Sequence, residues 1–166
     1  MPRAPTLSVC PARTRSNRRA PPIDLVRGQD DPMSLAVHHI VIDARDLPGL
    51  AKFWSELLGW RILSSREGEV IIGPSVDSPI GICFMPSADD KVVKNRVHLD
   101  LNPGASATAE ERALEIQRAL ALGATIVDVG QRGDESWTVL ADPEGNEFCV
   151  VRPKADLIGS AILDCM

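Results

Sequence analysis

Two stretches of the chain repeat one pattern: a strand that carries a histidine near its start, then an amphipathic helix that stops at a leucine–glycine pair. The first runs from His39 in HHIVID to Gly59 in ELLGW, and the second from His98 in VHLDL to Gly123 in ALALGA. A tandem repeat of about fifty to sixty residues, each copy a strand, a helix and further strands, predicts two paired half-sheets rather than one open sheet. The two histidines then occupy equivalent places, and the halves are expected to enclose a cleft.

The pattern can be followed from Met33 onward. Residues 35–43 read as a strand, with His38, Ile40 and Ile42 on one face and Val37, His39 and Val41 on the other. Asp46 suits the N-cap of a helix over residues 47–58, with Pro48 in its permitted first turn and Gly59 as its stop. Leu47, Leu50, Trp54, Leu57 and Leu58 fall on one face of that helix. Residues 60–64, 69–73 and 80–85 read as three short strands.

A polar linker, residues 87–94, separates the second copy. Residues 96–102 form its first strand, and Thr108 with Glu111 makes a capping box for a helix to residue 121. Ala109, Ala113, Ile116 and Leu120 are expected on its buried stripe, with Gly123 ending it. Residues 125–129, 136–140 and 147–151 follow as strands, the last two joined by a tight turn at Asp142-Pro143-Glu144-Gly145. The expected class is α+β, two βαβββ modules over residues 35–86 and 95–152.

Composition sets the outer limits. At 166 residues and 44% hydrophobic content the chain can build one ordinary core, expected over residues 33–152. Residues 1–32 hold six of the thirteen prolines, six arginines and three acids, with no periodic apolar face. Such a segment cannot offset its own ordering entropy, so a disordered tail is expected, with Met33 as the natural start of the domain. No apolar stretch follows Arg18 and Arg19, which argues against a secretory signal. Residues 153–166 read as a C-terminal extension. Cys10, Cys83, Cys149 and Cys165 show no C-x-x-C spacing, so neither a zinc knuckle nor a disulfide framework is indicated and a cytoplasmic setting is expected. With 18 basic against 23 acidic side chains there is no general pull toward nucleic acid, and no apolar run suits a membrane.

The segments HHIVIDARDLPGLAKFWSELLGW, KNRVHLDL and WTVLADPEGNEFCVV, in that order, resemble the vicinal oxygen chelate superfamily of glyoxalases, bleomycin-resistance proteins and extradiol dioxygenases. The resemblance covers residues 35–152, and KNRVHLDL and NEFCVV look most like its glyoxalase-like group. It implies two βαβββ modules curled into a U-shaped half-barrel around a cleft. Metal-dependent members carry a histidine ligand on the first and fifth strands, positions that fall here on His39 and His98. Their carboxylate ligands sit on the last strand of each module, the second lying four residues after the glycine of the D-P-x-G turn. That residue is Cys149 here, and residues 80–85 contain no carboxylate or histidine. Two of four ligands are thus carried over. Glu147 shares a face with Cys149, as Asp100 does with His98, but a two-residue step along a strand is roughly 6.5–7 Å. Metal–oxygen bonds are about 2.0–2.2 Å, so Glu147 does not simply replace the missing ligand. His39, His98 and Cys149 thiolate with water would make a zinc set unusual for the family.

Each candidate has a structural alternative. His38 is expected to be a packed or edge histidine without chemistry, Trp54 and Trp60 core or rim residues, and Cys149 a small apolar filler, since no basic partner is evident to lower its pKa. Trp137 is the tryptophan best placed to wall a pocket, with charged residues 94–96 and 132–135 at its mouth. Three readings follow from the resemblance. The favoured one is a cleft protein that binds or transforms a small organic molecule without a cofactor, with His39 and His98 as acid–base groups and Asp100, Trp137, Glu147 and Cys149 contacting the ligand. The second is a lyase, isomerase or dioxygenase with a divalent metal at His39 and His98. The third is a bleomycin-resistance-type protein that sequesters its ligand without chemistry. In each, open sheet edges and the resemblance imply a homodimer.

Overall fold

The computed structural model describes residues 35–132 and 135–152. The tail over residues 1–32 and the extension over residues 153–166 lie outside the described residues. Two modules follow one another. The first comprises β1 (His39–Ala44), α1 (Leu47–Leu58), β2 (Arg61–Arg66), β3 (Glu69–Gly73) and β4 (Gly81–Pro86). The second comprises β5 (Leu99–Leu101), α2 (Ala109–Leu122), β6 (Thr125–Ile126), β7 (Trp137–Ala141) and β8 (Glu147–Val151). Each folds as a four-stranded mixed sheet, in the orders β1-β4-β3-β2 and β5-β8-β7-β6. The first and last strands of each module run parallel, because the helix carries the chain back along the sheet, and the remaining neighbours are antiparallel.

The helices form where the caps place them. The Asp46 carboxylate accepts from the Gly49 amide at the start of α1, and Gly59 ends it at φ 64°. Thr108 and Glu111 complete the reciprocal capping box of α2, and Gly123 ends that helix at φ 114°. Leu50, Ala51, Phe53, Trp54 and Leu57 are the buried face of α1. They meet Val70, Ile72, Ile82 and Phe84 of the first sheet and Leu140, Phe148 and Val150 of the second in one continuous core. Aromatic rings join the modules there: Trp54 and Phe148 lie 5.2 Å apart edge to face, and Phe53 and Phe148 lie 6.3 Å apart.

Module 2 also holds both ends of α1. Ahead of the helix, the Glu144 carboxylate accepts from the backbone amides of Arg45, at 2.9 and 3.0 Å, and Asp46, at 2.7 Å. At its C-terminal end, the Arg118 guanidinium of α2 donates to the carbonyls of Glu56, at 3.0 Å, and Leu57, at 2.7 Å. The Trp54 indole donates from the middle of α1 to the buried Asp142 carboxylate at 3.0 Å.

Several expectations need correction. β1 begins at His39 rather than residue 35, and of the two places expected for His38, packed or at an edge, it is not packed: it is exposed, its ring 4.2 Å from that of His39. β5 begins at Leu99, so His98 lies just ahead of the strand, and β6 spans only two residues. The buried stripe of α2 is displaced: Ala109 and Ala113 are exposed, Ile116 and Leu120 are half-buried, and Ala119 is the buried residue. Periodicity located a face, but the core reaches only the C-terminal half of this helix.

A cysteine-floored cavity on the second sheet

Alternation along the strands of module 2 sends Phe148, Val150 and Leu140 into the core and Cys149, Val151 and Val139 to the opposite face. Asp100 of β5 pairs in register with Cys149, which pairs in turn with Val139. These side chains floor a cavity of about 410 Å³ that His98, Lys94, Glu147, Ser136, Trp137, Val129 and Val151 also line. Five of the six site residues expected from the sequence therefore meet in one place: His98, Asp100, Trp137, Glu147 and Cys149. His39 does not line this cavity. Its ring lies over Gly81, where an added Cβ would come within 3.0 Å of the imidazole and 2.8 Å of the Ile72 carbonyl oxygen.

The polar groups of the floor are coupled. His98 Nε2 lies 3.2 Å from Asp100 Oδ1. Burial pushes the Cys149 thiol up, and the Asp100 carboxylate adds to this both by its charge and by accepting the S–H, while Lys94 pulls the other way. Cys149 is therefore a protonated thiol at neutral pH, not an activated nucleophile. Glu147 is committed elsewhere. Its carboxylate accepts from Lys91 Nζ, at 2.9 and 3.0 Å, and from the Asn95 amide at 2.9 Å, tying the linker to β8. Burial alone would raise this carboxyl, but the bonds from Asn95 and Lys91 outweigh it and hold the group below its ordinary value. Trp137, 45% exposed, stands at the cavity rim as a flat apolar wall.

A second, narrower cavity of about 310 Å³ runs between β1 and the approach to β5, lined by Ile40, Ile42, Trp54, Val97 and Glu147 among others. His98 borders both cavities. Of the charged stretches expected at the mouth, Lys94 contributes directly. Sequence reading took the Asp142 segment only as a turn and missed its role. Asp142 is 2% exposed, and its carboxylate accepts from the amides of Glu144 at 3.0 Å and Asn146 at 2.9 Å as well as from Trp54. An aspartate two residues before a residue whose amide it can accept is the available signal for such a turn.

The fold and this strand register define a class before any comparison. The sequence profile of the glyoxalase-like domain matches residues 39–151, and the chain belongs to that family, within the vicinal oxygen chelate superfamily. A glyoxalase/bleomycin resistance protein/dioxygenase family enzyme from Burkholderia phytofirmans is similar at 19% identity, covering 71% of this chain and 98% of its own, with a TM-score of 0.56. A fosfomycin resistance protein from Listeria monocytogenes, a mutant complexed with Mn(II) and 1S,2S-dihydroxypropylphosphonic acid, is similar at 18% identity, covering 73% and 92%, with a TM-score of 0.56. A glyoxalase-related enzyme from Fulvimarina pelagi is similar at 15% identity, covering 74% and 90%, with a TM-score of 0.55. At these identities the likeness is one of fold. No curated protein matches the chain in sequence. Among the described residues, no helix is long and apolar enough to cross a membrane.

The residues present do not fit the ligand set of the metal-dependent relatives. His39 lines neither of the two cavities that His98 borders. The last strand of the second module offers the Cys149 thiol where those relatives have a carboxylate. On β4 the corresponding face carries Cys83 and Met85, and burial with the nearby Glu69 charge pushes the Cys83 thiol up as well.

Proposed function

We propose that the protein binds and transforms a small, mainly apolar organic molecule in the cavity of module 2, without the four-ligand metal site of its metal-dependent relatives. The observation that carries this reading is the convergence of His98, Asp100 and Trp137 on one cavity. Trp137, Val129, Val139 and Val151 form its apolar walls, while His98, Asp100 and Lys94 are gathered as its polar groups. Imidazole is the side chain whose protonation changes near neutrality, and Asp100 is placed to orient the His98 ring through Nε2. His98 is then the group that gives or takes a proton, Lys94 supplies charge for an acidic end of the ligand, and Trp137 stacks on its flat body. No such role is left for His39.

Ligand binding in the full chain tests this, read as quenching of tryptophan emission by a panel of small aromatic and α-hydroxycarbonyl compounds. Binding by at least one compound class that weakens about tenfold or more in both Trp137→Phe and His98→Gln is the expected outcome. Binding unchanged in both variants would refute the assignment of the site. A turnover screen on the same compounds separates transformation from sequestration.

The open face of the first sheet supports self-association. Val41 and Met85 project from the side away from the core, 56% and 44% exposed. A homodimer that covers this face is expected. Light scattering at micromolar concentration that reports a monomer would count against it.

A further inference from the structure

Residues 88–97 cross from the end of β4 toward β5 without regular structure, and they rest on the body of the protein at two places. Lys91 and Asn95 are the only residues of this stretch that are not exposed. Val92, Val93 and Val97, which an anchored segment would turn inward, are each 76% exposed or more. Both resting places end on one carboxylate: Glu147 accepts from Lys91 Nζ at 2.9 and 3.0 Å and from the Asn95 amide at 2.9 Å. The Lys91 side chain also donates to the Val93 carbonyl at 3.0 Å, which curls the stretch back on itself. Among the described residues, the other polar tie from this stretch to a distant part of the chain is the ion pair of Asp90 with Arg45, whose side chains are exposed and screened by water.

We infer that residues 88–97 form a strap over the two cavities, closed by a single latch in which Glu147 holds Lys91 and Asn95, and that release of this latch opens the cavities to a ligand. The latch stands on the geometry alone, and its use as a gate rests on the small-molecule reading above.

The strap lies where a gate must. Lys94 lines the larger cavity, Asn95 and Val97 line the narrower one, and Glu147 walls both. Opening exposes almost no new apolar surface, because the valines already face water, so the charge-assisted bonds to Glu147 are the main term that opposes it. Their side chains are only 10% exposed for Glu147 and 19% for Lys91, which spares the pair much of the screening that weakens Arg45 and Asp90. Two bonds on one carboxylate also fail together. The ends stay fixed meanwhile: the Ser87 amide donates to the Ala44 carbonyl at 2.9 Å, and Leu99 is paired with Phe148. The strap can therefore swing without disturbing either sheet. When it is closed, Glu147 is a positioning residue for Lys94, which sits between the two latched residues and is set at the cavity by them.

The test is limited trypsin digestion of the full chain, since Lys94 and Arg96 are cleavage sites within the strap. Cleavage of a transiently opened segment follows the population of its open form. Slow cutting after Lys94 and Arg96 is expected in the wild type, and cutting at least about tenfold faster in Glu147→Gln, with much smaller changes after Lys52 in α1 and Arg112 in α2. Alkylation of Cys149 by iodoacetamide should accelerate in parallel, measured against Cys83, which lines neither cavity. Lys91→Met leaves β8 intact and should reproduce the pattern, and it carries the test if circular dichroism shows that Glu147→Gln does not fold. Equal strap cleavage in the wild type and the folded variants would overturn the latch, as would an acceleration shared equally by Lys52, Arg112 and Cys83. Faster strap cleavage without faster alkylation of Cys149 would overturn the gate. None of these readouts uses a bound ligand, so failure of the strap and failure of the small-molecule reading are distinguishable.

Discussion

Replacing Asp142 by alanine removes a buried carboxylate that serves both modules at once. In the variant the Trp54 indole N–H, deep in the core, has no acceptor, and a buried donor left unsatisfied costs about 1–3 kcal/mol. The amides of Glu144 and Asn146 also lose an ionised acceptor, but both residues are only partly buried and recover hydrogen bonds from water. A total loss of about 3 kcal/mol follows, near 12 °C in melting temperature for a domain of this size. Denaturant unfolding of the wild type, Asp142→Ala, Trp54→Phe and the double variant isolates the shared part. Once phenylalanine has removed the indole donor, Asp142→Ala should cost about 1.5 kcal/mol less than it does in the wild type. A coupling below about 0.5 kcal/mol, the range expected of independent sites, would show that the indole bond contributes nothing to the joint.

Three further outcomes are expected. The Glu147 carboxyl is held below its ordinary value, so its contribution to stability is complete at neutral pH and is lost as acid takes the solution down through its folded value. Glu147→Gln should therefore destabilise the chain by about 1–2 kcal/mol at pH 7 and progressively less in acid, and a difference in melting temperature that does not shrink with falling pH would contradict this. Cys149, buried and with its thiol pushed up, should react with iodoacetamide at least about tenfold more slowly than a free cysteine at pH 7.5 in metal-free protein, as read by peptide mass mapping; equal rates would show an open thiolate. Deleting residues 2–32 should change the melting temperature by less than about 4 °C, because the tail sequence offers no apolar face to bury; a larger fall in calorimetry would show that it packs on the domain.

Much of the architecture was legible because local signals agreed with one another. Asp46, Pro48 and Gly59 bounded α1 to the residue, and Thr108 with Glu111 located the start of α2, since caps are satisfied within a few residues of sequence. Alternation set Glu147 with Cys149 and Asp100 with His98, and all four line one cavity. What periodicity could not supply is where one element ends up against another. The stripe of α2 slid toward Ala119 because only half the helix meets the core. His39 and His98, equivalent in the repeat, came to different surroundings because equivalence within a module says nothing about the distance between modules. Glu147 looked free for a ligand, and its engagement by Lys91 and Asn95 depends on the path of a linker that no pattern predicts.

The hold of module 2 on α1 has a consequence for dividing the chain. Glu144 ahead of the helix, Asp142 beneath its middle and Arg118 at its end all belong to the later half of the sequence, and Phe148 completes the aromatic packing of Phe53 and Trp54. A polypeptide cut in the linker over residues 87–94 would leave the first fragment with a fraying helix and two large rings facing water. The second fragment would keep its buried carboxylate without the indole it serves. Each half is thus a poor protein alone and a specific partner for the other, which makes the linker the natural place to build a two-piece version that regains its fold only when both pieces meet.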